Sequence, residues 1–302
     1  MDTDILHDHN DRREWNESFY FNFYDIKNDI CGFMRMGLKP NKDEKSMFCF
    51  LMLPDGSFVG SRSSVPLENE ELRVSGLEYR IIERERSWRL SFDGPMKVFG
   101  GNGDTLKVNF DLVFSGINKV FNYRECVSGF KEAISQSVAS EHLEQFGSIT
   151  GILKLDGKGM QIDATGERDH SWGERDWNSP KMWIWLTAQF SKDVALNVTK
   201  LCVPQGEVDA GFFHIAGVDH PIVCAAIDTR FGKDGAPVSF QMELTDKNGD
   251  ARTVRAAIIK NVKMPFESDN GLETSIMHET LAEYEFEGRK GYGIAEYLIK
   301  KE

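Results

Sequence analysis

The chain has 302 residues, with 36 Lys and Arg against 48 Asp and Glu, so its formal net charge is −12. An acidic surface repels phosphate backbones and anionic headgroups, which argues against nucleic acid and charged membranes as partners. Hydrophobic residues make up 40% of the chain, enough for a core, and no run approaches the ~18 apolar residues of a membrane span.

The opening stretch, Met1 to Glu17, is polar and acidic and lacks the basic and apolar regions of a secretory signal. Its His7-Asp8-His9 reads as part of a polar tail rather than a metal site. Next comes strict alternation, with Phe19, Phe21 and Phe23 between Tyr20, Asn22 and Tyr24. The period of two returns at Trp88 to Phe92, Leu106 to Leu112, Met182 to Thr187, Val194 to Val203, Val238 to Leu244 and Val254 to Ile259. Turn signals accompany these runs: Pro54-Asp55-Gly56, Asp93-Gly94-Pro95, Asp156 to Gly159 and Asn248-Gly249-Asp250. Gly100 to Gly103 lacks the Lys-Ser/Thr of a phosphate loop and reads as a hairpin turn. Only Phe130 to Glu144, rich in Ala, Gln, Glu and Ser, has helical character. The pattern predicts an all-β protein with little helix, in barrels or sandwiches. Two successive domains are expected, residues 1–145 and 146–302, the second opening near the motif described next. Five scattered cysteines, mostly among apolar neighbours, fit reduced, buried thiols in a cytoplasmic protein.

One segment is chemically dense: Gly166-Glu167-Arg168-Asp169-His170-Ser171-Trp172-Gly173-Glu174-Arg175-Asp176-Trp177. In a strand, Arg168, His170 and Trp172 share one face, and Asp169, Ser171 and Gly173 the other. A carboxylic acid buried against indoles has a raised pKa, the property of a general acid. Asp169, His170 and Asp176 are therefore the candidate catalytic residues. Equally, Arg168, Asp169, His170 and Asp176 could form a buried ion network joining two sheets. Trp183 and Trp185, two apart, share a face, and with Trp172 and Trp177 they suggest the wall of an apolar pocket. Gly291 and Gly293 fall where a strand is expected, which points to a bulge or a close backbone approach; Glu296 beside them can point inward. Arg168, Trp172, Trp177, Trp183, Trp185 and Glu296 are the candidate substrate-binding residues. No Cys, His and carboxylate set has metal-ligand spacing, and His278-Glu279 lacks the second His of a zinc helix, so neither metal nor cofactor is expected.

The stretch from Gly166 to Gly173, with Arg175-Asp176-Trp177, resembles the lipocalin-like superfamily of carotenoid 1,2-hydratases and AttH-type proteins. In particular it is similar to a bacterial branch with the form G-x-R-D-H-S-W-G-x-R-D-W. Trp15-Asn16-Glu17-Ser18, Glu144 to Gly147 and Gly291 to Glu296 agree with it. The resemblance implies two successive β-barrel-like domains packed together, with an apolar ligand site in or between them. Asp169, His170, Trp172 and Gly173 match the D-H-x-W-G of the carotenoid hydratases. Their downstream Tyr-x-Asp pair is replaced here by Ala195 to Thr199, so Asp169, Asp176 or Glu167 would have to supply a proton. Two readings remain open. One is a cofactor-independent enzyme, a lyase or isomerase, that hydrates, dehydrates, isomerises or cyclises an isoprenoid-like molecule by acid–base chemistry. The other is a non-catalytic carrier of a lipid or terpenoid.

Overall fold

The computed structural model describes residues 3–100, 102–129, 132, 134, 141–174, 180–267 and 274–300. Most of them lie in strands, as the alternation predicts. One compact unit comprises Met1–Phe121 and Ala139–Arg175; the other comprises Asn122–Val138 and Asp176–Glu302.

The first unit contains β1 (Trp15–Asp25), β2 (Ile30–Lys39), β3 (Glu44–Met52), β4 (Phe58–Val65), β5 (Arg73–Val74), β6 (Leu77–Glu83), β7 (Ser87–Phe99) and β8 (Thr105–Gly116). After the two-residue β9 (Phe121–Asn122) it is completed by β10 (Glu141–Leu155) and β11 (Lys158–Glu174). These strands pair in the order β4-β3-β2-β1-β11-β10-β8-β7-β6-β5. A short β4–β7 ladder, Phe58 to Gly60 against Lys97 to Phe99, brings the sheet back onto itself. Its inner face is an apolar cluster that includes Phe19, Phe21, Phe23, Trp88, Phe110 and Phe114.

The second unit contains β12 (Met182–Ser191), β13 (Val194–Val203), β14 (Gly206–Ile215), β15 (Val218–Phe231), β16 (Pro237–Asp246), β17 (Ala251–Glu267), β18 (Thr274–Phe286) and β19 (Arg289–Lys300). They form a closed eight-stranded barrel, with β12 against β19. Ile184, Leu186, Val198, Phe213, Tyr284 and Tyr297 belong to its apolar cluster. Closing a sheet removes the unpaired edges that would otherwise template aggregation.

Four sequence expectations are revised. Residues 145 and 146, the expected domain division, are consecutive residues of β10. Both β10 and β11 lie between β1 and β8, so the Arg168–Trp172 motif belongs to the first unit. Glu141 to Glu144, expected to be helical, are strand residues, while most of Phe130 to Ser140 lies outside the described residues. Asp93-Gly94-Pro95 is not a turn but the middle of β7. There β7 exchanges one neighbour for another: it pairs with β6 up to Phe92 and with β4 from Lys97. Proline, which has no N–H to donate, is tolerated where one side of the strand lacks a ladder. Finally, of the five cysteines only Cys31, Cys49 and Cys126 are buried, and Cys224 is exposed.

The close approach expected at Gly291 and Gly293 is present. A Cβ on Gly293 would stand 1.9 Å from the carbonyl oxygen of Thr187, and one on Gly291 would stand 2.7 Å from that of Gln189. Both carbonyls belong to β12, so the glycines let β19 close the barrel.

Candidate functional site

In the first unit, β1, β10 and β11 run side by side, and their register fixes which side chains meet. Glu17, Phe19 and Phe21 stand opposite Trp172, His170 and Arg168 across the β1–β11 ladder. Glu141, Leu143 and Gln145 flank the same three residues from β10. This face continues the apolar interior, yet it carries charge. The Arg168 guanidinium lies 5.5 Å from the Trp88 ring centroid. Its Nε donates to Gln145 Oε1 at 2.7 Å, and one terminal nitrogen meets Asp4 Oδ1 at 2.9 Å. The carboxylate partner of Arg168 is therefore Asp4, not Asp169, which lies on the opposite face. Burial pulls the Arg168 pKa down, and Asp4 opposes that pull.

Beside this pair, His170 is held at both ring nitrogens. Nδ1 lies 2.8 Å from the carbonyl oxygen of Thr3, and Nε2 lies 2.8 Å from Glu17 Oε1. The ring stacks on Phe19 at 4.0 Å between centroids. His7 joins the group: its Nδ1 is 2.8 Å from the same Glu17 oxygen, and its backbone N–H donates to Glu17 Oε2 at 3.0 Å. The His7 ring stacks on Trp172 at 3.6 Å. The polar tail expected at the N-terminus is thus built into the interior through Thr3, Asp4 and His7.

The other face of the same strands carries Asp169. Its Oδ2 meets His142 Nε2 at 2.7 Å, and its Oδ1 accepts from Ser171 Oγ at 3.0 Å. Glu144 Oε1 lies 2.7 Å from the same His142 nitrogen. Burial pulls the His142 pKa down, but Asp169 and then Glu144 outweigh it and raise it to about 9. A pKa so raised favours the cationic form of His142, with Asp169 as its ion-pair partner.

In the second unit, Trp183 and Trp185 are buried but are not part of the barrel's interior cluster, which holds Ile184 and Leu186 between and beyond them. Trp185 stands opposite Glu296 across β12–β19, and Glu296 stands opposite Glu279 across β18–β19. Glu279 is 2% exposed. Burial, reinforced by Glu296, pushes its pKa well above the ordinary carboxyl value. The same face continues through Thr199, opposite Trp185, and Asn197, opposite Thr187. The Tyr123 hydroxyl donates to Asn197 and to Thr199 Oγ1, the latter at 3.2 Å. A tyrosine from a distant segment thus meets the stretch where the carotenoid hydratases carry Tyr-x-Asp.

Of the sequence-selected residues, Arg168, His170 and Trp172 share one face of β11, with Asp169 on the other. Trp183, Trp185 and Glu296 share a face in the second unit. Asp176 and Trp177 lie outside the described residues. Glu17, His142 and Glu279 were not selected. Glu17 had a signal, since the period of two places it on the face of Phe19 and Phe21.

Several solved structures share the fold. CghA solved with Sch210972 superposes with a TM-score of 0.63 at 11% identity, over 95% of this chain and 89% of that one. A putative AttH from Nitrosomonas europaea gives 0.62 at 12% identity, over 96% and 93%. Kievitone hydratase from Nectria haematococca gives 0.58 at 10% identity, over 93% and 88%. At such identities the likeness is one of lipocalin-like fold. A comparison with curated proteins finds no match. The model of the family described as a domain of unknown function, DUF7064, matches residues 1–301, and the chain belongs to that family.

Proposed function

We propose that this protein is a cofactor-independent enzyme that hydrates, dehydrates, isomerises or cyclises an apolar, isoprenoid- or terpenoid-like molecule by acid–base chemistry. The observation that carries this reading is Glu279, a buried carboxyl whose pKa burial and Glu296 push well above the ordinary value, on the face that bears Trp183 and Trp185. A protonated carboxylic acid in an apolar wall can deliver a proton to an alkene or a hydroxyl, and indole faces stabilise the cation that follows. In the first unit, Asp169 with cationic His142 supplies a second proton-exchanging couple. His170, held between Thr3 and Glu17, keeps β11 in place. Neighbours that include a hydratase are consistent with this chemistry, though fold alone does not determine function.

The buried Arg168–Asp4 and His170–Glu17 pairs favour a second reading, a carrier in which the motif is structural. Deuterium incorporation separates the two. The purified protein is surveyed by native mass spectrometry, then incubated in D₂O with prenyl alcohols and with any co-purified compound. An enzyme places deuterium on carbon or adds water, and Glu279→Gln loses that activity. Stoichiometric binding with neither change identifies a carrier.

A further inference from the structure

The proton inventory around Glu17 is incomplete with neutral histidines alone. A carbonyl oxygen only accepts, so the 2.8 Å contact with Thr3 places a hydrogen on His170 Nδ1. In a neutral ring Nε2 then presents its lone pair to Glu17 Oε1, also at 2.8 Å, and two acceptors repel at that distance. His7 Nδ1 converges on the same carboxylate oxygen at 2.8 Å. The three donor atoms lie within 4.8 Å of one another. One further proton or a metal ion at their centre satisfies these contacts.

We propose that His7, Glu17 and His170 form a site for a first-row divalent cation, with zinc, cobalt and iron(II) as the fitting class. Two imidazoles and one carboxylate suit these ions better than calcium or magnesium, which favour all-oxygen shells. Bonds of ~2.0–2.2 Å from one ion to nitrogen and oxygen span contacts of the observed length at near-right angles. The Nδ1–carbonyl contact of His170 is the outer-shell bond by which metal-bound histidines are commonly oriented. Glu17 and His170 are almost completely buried, so the ion would sit away from bulk water. Its ligands come from the N-terminal segment, β1 and β11, and local motif spacing does not reveal them: residues 17 and 170 are 153 positions apart. The ion would fasten the N-terminal segment to β1 and β11 of the first unit's sheet, whatever reaction the protein performs.

His142, Glu144 and Asp169 form the other candidate cluster, but it offers only one imidazole. The test therefore assigns the ion to one cluster. Chelator-stripped full-length protein is titrated with Co²⁺ by calorimetry and visible absorption, and its melting is followed with and without Zn²⁺. One equivalent should bind, and melting should rise by several degrees, since a ligand bound only by the native state stabilises it. His170→Gln and the milder His7→Ala should each weaken binding by more than the ~10–100-fold that loss of an outer-shell partner costs. His142→Gln should leave binding intact. Absence of stoichiometric binding overturns the proposal, as does binding that survives both His7→Ala and His170→Gln or disappears only in His142→Gln.

Discussion

Glu279 and Glu296 stand directly opposite each other on β18 and β19, and burial pushes the pKa of Glu279 well above the ordinary carboxyl value. Two carboxylates at such spacing in a desolvated wall cannot both ionise cheaply. Glu279→Gln keeps the shape and removes the acid, so turnover should fall by ~10²–10⁴-fold. The effect on stability has a defined sign. The folded value lies above the ordinary 4.5, so the contribution of Glu279 is full below 4.5 and is lost as pH rises through the raised value. The Gln variant cannot ionise and should show a flatter alkaline decline in melting temperature. Melting scans from pH 4 to 10 check this; an unchanged alkaline slope would count against the buried acid.

The His142–Asp169 pair makes a second pH prediction. The His142 pKa is raised from 6.5 to about 9, so its stabilising contribution is full below 6.5 and is lost as pH rises through about 9. Asp169→Asn removes one of the two carboxylates that hold the cation. The variant should lose roughly 1–3 kcal/mol at pH 6 and match the wild type at pH 10. If Asp169 also exchanges protons with substrate, turnover should fall by ~10²–10⁴-fold. Denaturant unfolding at the two pH values, with the deuterium assay, checks both effects. An arginine partner would have given a loss that persists across this range.

The alternation of Phe19, Phe21 and Phe23 against Tyr20, Asn22 and Tyr24 carries β1, and comparable runs carry most of the barrel in the second unit. Glu141 to Gln145 escaped because β10 is polar on both faces: Glu141 and Gln145 flank the motif on one side, while His142 and Glu144 meet Asp169 on the other. A period of two in hydropathy requires one apolar face, and this stretch has none. Arg168 and His170 were legible as dense chemistry, but their partners were not. Asp4, Glu17 and Gln145 are distant in sequence and come together only through strand register and the ordered N-terminal segment. Glu279 was legible as a residue but not as an acid, because its raised pKa comes from burial and from Glu296 across a ladder.

The buried Arg168–Asp4 pair should behave as a structural contact. Asp4→Asn leaves a guanidinium that is 3% exposed without its counter-ion, and breaking such a pair costs ~3–5 kcal/mol. Melting should drop by several degrees. Adding Arg168→Met to that variant removes the unpaired cation and should recover part of the loss, since apolar replacement of a buried pair is often tolerated. A stable Asp4→Asn protein would mean that Gln145 and the Trp88 ring suffice to hold the cation.

Barrel closure in the second unit rests on Gly293. A methyl group there would stand 1.9 Å from Thr187 O and 2.9 Å from Ala188 Cα, both backbone atoms that cannot turn aside as a side chain does. The β12–β19 ladder lacks paired residues here, between the Leu186–Ala295 and Gln189–Tyr292 pairs, and keeps one register on either side. Gly293→Ala should therefore push the two strands apart and cost ~1–3 kcal/mol, the usual penalty for overpacking. Amide exchange of β19 next to Gly293 should accelerate before the rest of the barrel opens. Gly159→Ala is the matched control: its methyl would meet only Lys154 Cγ at 3.8 Å, ordinary contact with a flexible side chain. That variant should stay within ~0.5 kcal/mol of the wild type. Equal melting temperatures for the two variants would show that β19 can retreat from β12 at little cost, and that closure does not depend on glycine at 293.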